Sequence, residues 1–184
     1  MTMISTPPPS TPAAANYRYA GEYSVSRQSS VEGTVPITTP SLGPNGMHSL
    51  AEVAVQNYNQ NSTVEAGWIV QPGSGPELFS SWWRSNQLMG YKEFGAVSNG
   101  RGTFTVTQEN GAWVASYNGR VLVRWPDSNW GPTNFRHASV EQVFAEAQGD
   151  NSTELTHGTF DTNLKNPITV FGAVTSHGPG WFRT

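Results

Sequence analysis

Two short turns between alternating segments constrain the fold of this chain more than any other feature. Asn118-Gly119 joins Ala112–Tyr117 to Arg120–Trp125, and Glu109-Asn110-Gly111 stands just before them. Asn and Gly tolerate the positive φ angles that a tight β-hairpin needs. Ahead of the first turn, Thr103–Gln108 alternates threonine with Phe and Val, which is the period of a half-buried strand. This part of the chain is therefore predicted to form a three-stranded antiparallel meander.

Short strands joined by turns are predicted along the rest of the chain as well. The 19 glycines, 13 prolines and 11% aromatic residues favour strands and turns over long helices. Gly73-Ser74-Gly75 is expected to be a hairpin turn. The further predicted strands are Arg18–Val25, Gly33–Thr38, Leu50–Gln56, Val64–Gln71, Glu77–Arg84 and Ile168–Thr175. So many short strands indicate an all-β fold, an antiparallel sandwich or barrel.

One segment, Ser139–Gln148, fits both a helix and a strand. Its apolar residues at 140, 143, 144 and 147 have helical spacing. Ser139 and Gln142 would also suit the capping box at the start of a helix. In a strand, the even-numbered residues 140–146 would share one face. Taken alone, these residues favour a helix.

The composition limits domain number and partners. Residues 1–16, rich in Pro, Ser, Thr and Ala, are expected to be a disordered leader, and residues 17–184 one folded domain. The chain has no cysteine, which excludes disulfides and thiolate chemistry. A net charge of −3 and the lack of basic clusters argue against nucleic acid and anionic membranes as partners.

Two carboxylates stand inside apolar segments and are the candidate catalytic groups. Glu65 interrupts Val64–Val70, and Glu146 interrupts Val143–Ala147. Burying a charged carboxylate is costly unless it is paired or becomes neutral. Two such acids facing one cleft would share a proton and activate water. The four histidines are scattered without metal-ligand spacing, so neither a metal nor another cofactor is expected.

The order of several motifs resembles the neprosin domain, a family of glutamic peptidases. The most specific match is Val64-Glu65-Ala66-Gly67-Trp68-Ile69-Val70. The other matching segments are Tyr19-Ala20-Gly21, Gly33-Thr34-Val35-Pro36-Ile37, His48-Ser49-Leu50-Ala51-Glu52-Val53, Glu77-Leu78-Phe79 with Trp82, Gly90-Tyr91, Trp125-Pro126, Ala138-Ser139, Val143-Phe144 with Glu146, and Gly158 with Phe160. Phe144-Ala145 departs from the family, which has two glycines there.

The resemblance implies a fold and an activity. The fold would be a two-sheet antiparallel β-sandwich of the jelly-roll or concanavalin-like kind, with little helix and a cleft on one face. This changes the expectation for Ser139–Gln148 from helix to strand. Glu65 and Glu146 would be the catalytic pair of a secreted, acid-acting endopeptidase with a preference for proline-containing peptides, although no signal peptide is evident. The substrate would be a peptide or protein, and the enzyme a monomer.

Roles can be assigned to these residues in more than one way. Glu65 is expected to be the general base and Glu146 the acid, or the reverse, with the amide of Gln87 or Gln142 stabilising the oxyanion. Trp82, Tyr91 and Trp125 would stack on a proline ring or pack in the core. Two other functions remain open: a jelly-roll glycosidase, which also uses two acids, and a non-catalytic carbohydrate-binding or structural sandwich.

Overall fold

The computed structural model describes residues 17–42, 48–57, 62–133, 135–148, 161–162 and 168–176. The leader expected over residues 1–16 lies outside these ranges. The strands are β1 Tyr17–Gln28, β2 Ser30–Ile37, β3 Ser49–Asn57, β4 Ser62–Val70, β5 Glu77–Arg84, β6 Gln87–Ala96, β7 Gly100–Glu109, β8 Ala112–Tyr117, β9 Arg120–Pro126, β10 Ala138–Gln148, β11 Asp161–Thr162 and β12 Ile168–Ser176. A short 3-10 segment, Asp127–Thr133, follows β9. Within the described ranges, no helix is long and apolar enough to span a membrane.

The strands form two antiparallel sheets that pack face to face. One sheet has the order β12-β1-β10-β3-β4-β5-β6, and the other has the order β11-β2-β7-β8-β9. Alternate residues of β3 and β4, among them Val53 and Val64, meet Val31, Phe104 and Trp113 of the second sheet in one buried core. The predicted antiparallel two-sheet β-sandwich is therefore confirmed.

The predicted turns are present with the expected backbone conformation. Asn110 and Gly111 have φ values of 49° and 78°, and Asn118 and Gly119 have 47° and 77°. Both residues of each pair thus occupy the left-handed region that a type I′ hairpin requires. Gly73 is also left-handed, and the amide of Ser74 donates to the carbonyl of Gln71. The three-stranded meander β7-β8-β9 follows from the first two turns.

β10 settles the ambiguity of the segment Ser139–Gln148 in favour of a strand. It pairs with β1 on one side and with β3 on the other. The helix that the residues alone favoured was wrong, because hydrogen bonding to two neighbouring strands outweighs a local helical spacing. The strand expected from the family resemblance is correct.

β6 was not anticipated from the sequence. The turn that leads into it, Ser85-Asn86, contains no glycine, yet its φ values are 52° and 60°. β6 lies at the edge of the seven-stranded sheet, where most of its residues are exposed or half-buried. An edge strand lacks the apolar alternation by which a buried strand is recognised.

Tryptophans link the core to the backbone. The Nε1 of Trp68 donates to the carbonyl of Pro36 at 2.7 Å, and the Nε1 of Trp113 donates to that of Phe135 at 2.6 Å. A buried indole that finds an acceptor contributes packing without leaving a polar group unsatisfied. As expected from its opposite parity to Glu65, Trp68 belongs to the core.

Candidate functional site

Strand β4 is buried on both of its faces. Val64, Ala66 and Trp68 point into the core between the sheets. Alternation along the strand therefore directs Glu65 to the other face of the seven-stranded sheet, which we call the outer face. Leu50 and Ile69 also lie on the outer face and are buried, so this face carries apolar as well as acidic residues.

Glu65 is completely buried and is held by two donors from β5. The hydroxyl of Ser81, directly opposite Glu65 in the β4–β5 pairing, donates to Oε2 of the carboxylate. The Nε1 of Trp83 donates to the same oxygen at 3.1 Å. Hydrogen bonds to an ionised group are stronger than those between neutral groups, and a buried charge needs them. One oxygen of Glu65 is thereby fixed in position.

The backbone of Glu65 is fixed from the core side. The hydroxyl of Ser80 donates to the carbonyl of Glu65 at 2.7 Å and accepts a hydrogen bond from Nε1 of Trp125 at 2.9 Å. Trp125 comes from β9 in the opposite sheet, so the two sheets are connected directly beneath the carboxylate. Trp125 acts as a support of this strand from within the core.

Gln142 is level with Glu65 across the sheet. Glu65 pairs with Ala54 of β3, and Ala54 pairs with Gln142 of β10. Residues that pair directly share a face, and two strand spacings separate their backbones by about 10 Å. The residue between them is Ala54, which is small and buried. Tyr23 of β1 extends the same row.

Glu146 lies on another row. It pairs with Leu50, which in turn pairs with Ile69, four residues beyond Glu65 on β4. Four residues of strand correspond to about 13 Å, and two strand spacings add about 10 Å in the perpendicular direction. The register does not bring Glu65 and Glu146 together.

The four other candidate substrate-binding residues have different environments. Trp82 and Trp125 are buried in the core, with ring centroids 6.4 Å apart, and not on the outer face. Gln87 is exposed at the turn between β5 and β6. Tyr91 does lie on the outer face, where its ring stacks on Phe79. Trp82 points inward because it alternates along β5 with Ser81 and Trp83, which contact Glu65, and Trp125 reaches the core from β9 of the opposite sheet.

Tyr91 has an acidic neighbour. Its hydroxyl donates to Oε1 of Glu93 at 2.9 Å. Burial, and then this hydrogen bond to Glu93, raise the pKa of Tyr91 above its usual range. The phenol therefore stays neutral over the pH range in which carboxylates titrate.

Two residues on the outer face were missed in the sequence. Trp83 is a donor to Glu65, but the doublet Trp82-Trp83 shows only that the two rings point in opposite directions. Glu52 is fully buried on the outer face of β3. The sequence does contain an indication of Glu52, because it is an acidic residue within the apolar run Leu50–Val55. The same kind of pattern identified Glu65. Among the described residues, no group of His, Asp and Glu has the arrangement of a metal site.

The fold is similar to that of solved peptidases. Scytalidoglutamic peptidase with a peptide-based transition-state analogue superposes with a TM-score of 0.53 at 12% identity, covering 89% of this chain and 76% of the peptidase. The same peptidase with a transition-state analogue inhibitor gives a TM-score of 0.52 at 11% identity, covering 89% and 77%. No known family's sequence profile and no curated protein sequence matches the chain. These structural neighbours are glutamic peptidases, and at this identity the likeness shows that the chain shares their fold.

Proposed function

We propose that this protein is a glutamic peptidase that hydrolyses peptide bonds with Glu65 as its principal catalytic carboxylate. The observation that carries the proposal is the environment of Glu65. It is a fully buried carboxylate held by Ser81 and Trp83 on the central strands of a sheet. The same two-sheet fold occurs in a peptidase that binds transition-state analogues.

Peptide hydrolysis requires a base for the attacking water and an acid for the leaving nitrogen. Ionised Glu65 takes a proton from water while the water oxygen bonds to the carbonyl carbon of the peptide. The C–N bond then breaks, and the nitrogen receives a proton from an acid at the site. A new carboxyl and a new amine result. The cycle closes when Glu65 returns its proton to that acid.

The remaining roles are assigned from the register. Gln142, level with Glu65 across Ala54, is the residue we assign as the amide donor to the oxyanion. Glu146 was expected to be the acid, but it lies four residues away along the sheet. In line with the neprosin resemblance, the proposed enzyme is active at acidic pH and prefers proline-containing peptides. An acid that must be protonated supports activity at acidic pH.

The burial of Glu65 has a consequence for activity. Because the carboxylate has no exposed surface, a substrate reaches it only by displacing the groups that cover the outer face. Tyr91, half-buried and stacked at 5.8 Å on the buried ring of Phe79, offers an aromatic surface next to Ser81 on that face. A proline ring would pack on such a surface.

The test is a pH-resolved digestion of a complex peptide mixture, analysed by mass spectrometry. The purified protein is expected to cleave peptides at acidic pH, and Glu65→Gln is expected not to. A parallel incubation with oligosaccharides tests for a glycosidase. Hydrolysis of sugars but not of peptides would contradict the proposal, and so would equal peptide cleavage by both proteins. Absence of any cleavage across the whole pH range would favour the non-catalytic alternative.

A further inference from the structure

A second buried carboxylate lies beside Glu65. In β3, Ala51, Val53 and Val55 point into the core, so Glu52 points to the outer face. Glu52 is completely buried, as Glu65 is. A fully buried glutamate in an otherwise apolar strand interior carries a large desolvation cost. Two fully buried glutamates on the same face of neighbouring strands indicate that they act together.

Gly67 leaves space for Glu52. Glu52 and Gly67 are directly paired across β3 and β4. A Cβ atom at position 67 would lie 2.6 Å from Cβ of Glu52 and closer still to the carbonyl oxygen of Ala51. Only glycine fits there without moving the strand that carries Glu52. Gly67 is two residues after Glu65 on β4. The strand that carries Glu65 therefore also carries the glycine that makes room for Glu52.

The register makes Glu52 and Glu65 diagonal neighbours. Glu65 pairs with Ala54, and Glu52 is two residues before Ala54. Diagonal neighbours on one face are separated by about 7–8 Å, which long side chains can bridge. The backbone of Glu146 is about twice as far from Glu65, at roughly 16 Å. Among the glutamates of the described strands, Glu52 is therefore the one best placed to exchange a proton with Glu65.

We propose that Glu52 is the acidic partner of Glu65, so that the two carboxyl groups hold one proton between them on the outer face. This rests on the proposed peptidase function and identifies the group that protonates the leaving nitrogen. Two close carboxyl groups do not ionise independently, so the pair titrates in two separated steps. Over the interval between these steps one group is ionised and serves as base, and the other is protonated and serves as acid.

The surroundings of the pair are acidic and phenolic. Among the residues whose side chains the structure describes, the other titratable ones that the strand pairing places on the outer face are Tyr23 of β1, Glu77 of β5, and Tyr91 and Glu93 of β6. Among these described side chains, the strand pairing places no lysine, arginine or histidine on the outer face. Negative neighbours favour the protonated form of the pair, which extends the singly protonated state towards higher pH.

The direct test is a side-chain NMR titration with 13C-labelled glutamate. The Cδ shifts of Glu52 and Glu65 are recorded against pH in the wild-type protein, Glu52→Gln and Glu146→Gln. The wild type is expected to show two steps, each seen by both residues and separated by more than about one pH unit. Glu52→Gln is expected to leave one step at Glu65, and Glu146→Gln to keep both. Independent single steps in the wild type would overturn the proposal, even if Glu52→Gln does not fold.

Activity provides a second readout. Glu52→Gln is expected to lower kcat/KM by about 10²–10⁴-fold, as the loss of an acid catalyst does, and to remove the alkaline limb of the pH profile. Glu146→Gln, the matched control, is expected to keep that limb. If Glu65→Gln abolishes activity while Glu52→Gln keeps the wild-type profile, this inference fails and the peptidase function stands. If both variants retain full activity, the peptidase function fails as well.

Discussion

Substitution of Gly67 by alanine tests the packing of β3 against β4 at the centre of the outer face. The added Cβ would meet backbone atoms of Ala51 and Glu52 as well as Cβ of Glu52, at 2.6 Å. Backbone atoms in the middle of a paired sheet cannot move aside as a flexible side chain does. Overpacking of this kind costs about 1–3 kcal/mol, and contact with backbone indicates the upper end. We expect a loss of about 3 kcal/mol in the free energy of unfolding.

Gly75→Ala is the matched control for this prediction. A Cβ atom at position 75 meets nothing within 4 Å, and no positive φ opposes it. Such a replacement stabilises by up to about 1 kcal/mol through the unfolded chain. By calorimetry, Gly67→Ala should melt about 6–12 °C below the wild type, since 1 kcal/mol corresponds to about 2–4 °C at this size. Equal melting temperatures for the two variants would refute the register that places Glu52 beside Gly67.

Three further substitutions test a hydrogen bond in the core, the pH dependence of stability above about pH 10, and a turn. Trp113→Phe deprives the buried carbonyl of Phe135 of its donor, and urea denaturation should show a loss of about 2 kcal/mol or more. Because burial and Glu93 raise the pKa of Tyr91, the unfolded chain ionises first, so wild-type stability should fall above about pH 10. Tyr91→Phe should make that fall shallower in denaturation series at alkaline pH, and an unchanged slope would contradict it. Asn118→Ala, at a φ of 47°, should cost about 1 kcal/mol by the same urea assay, whereas an unaltered midpoint would argue against the strained turn.

The parts of the fold that the sequence predicts are those that local chemistry determines. Asn118-Gly119 predicts its hairpin because both residues accept positive φ without help from the rest of the molecule. Ser85-Asn86 adopts the same conformation, but without glycine its tendency is too weak to identify. Ser139–Gln148 became a strand because β1 and β3 pair with it, which helical spacing cannot reveal.

In the candidate site too, some residues can be identified from the local sequence, whereas others are placed only by pairing between distant strands. The isolated acid in Val64–Val70 indicates Glu65, because a carboxylate in an apolar strand is costly and needs a reason. Its neighbours depend on register between strands that are distant in sequence. A shift of two residues in the β3–β4 pairing would place Glu52 or Gln56 directly opposite Glu65 in place of Ala54, and no local pattern fixes that alignment.

The most direct measurement of the central claim is the steady-state kcat/KM of Glu65→Gln on a cleaved peptide at the acidic pH optimum. Gln has nearly the same shape as Glu and accepts hydrogen bonds from Ser81 and Trp83, but it cannot take a proton from water. With Glu65 as the base, kcat/KM is expected to fall by about 10²–10⁴-fold while the variant remains folded by circular dichroism. A folded variant that retains kcat/KM within about threefold of the wild type would show that the buried carboxylate of Glu65 does not perform the hydrolysis.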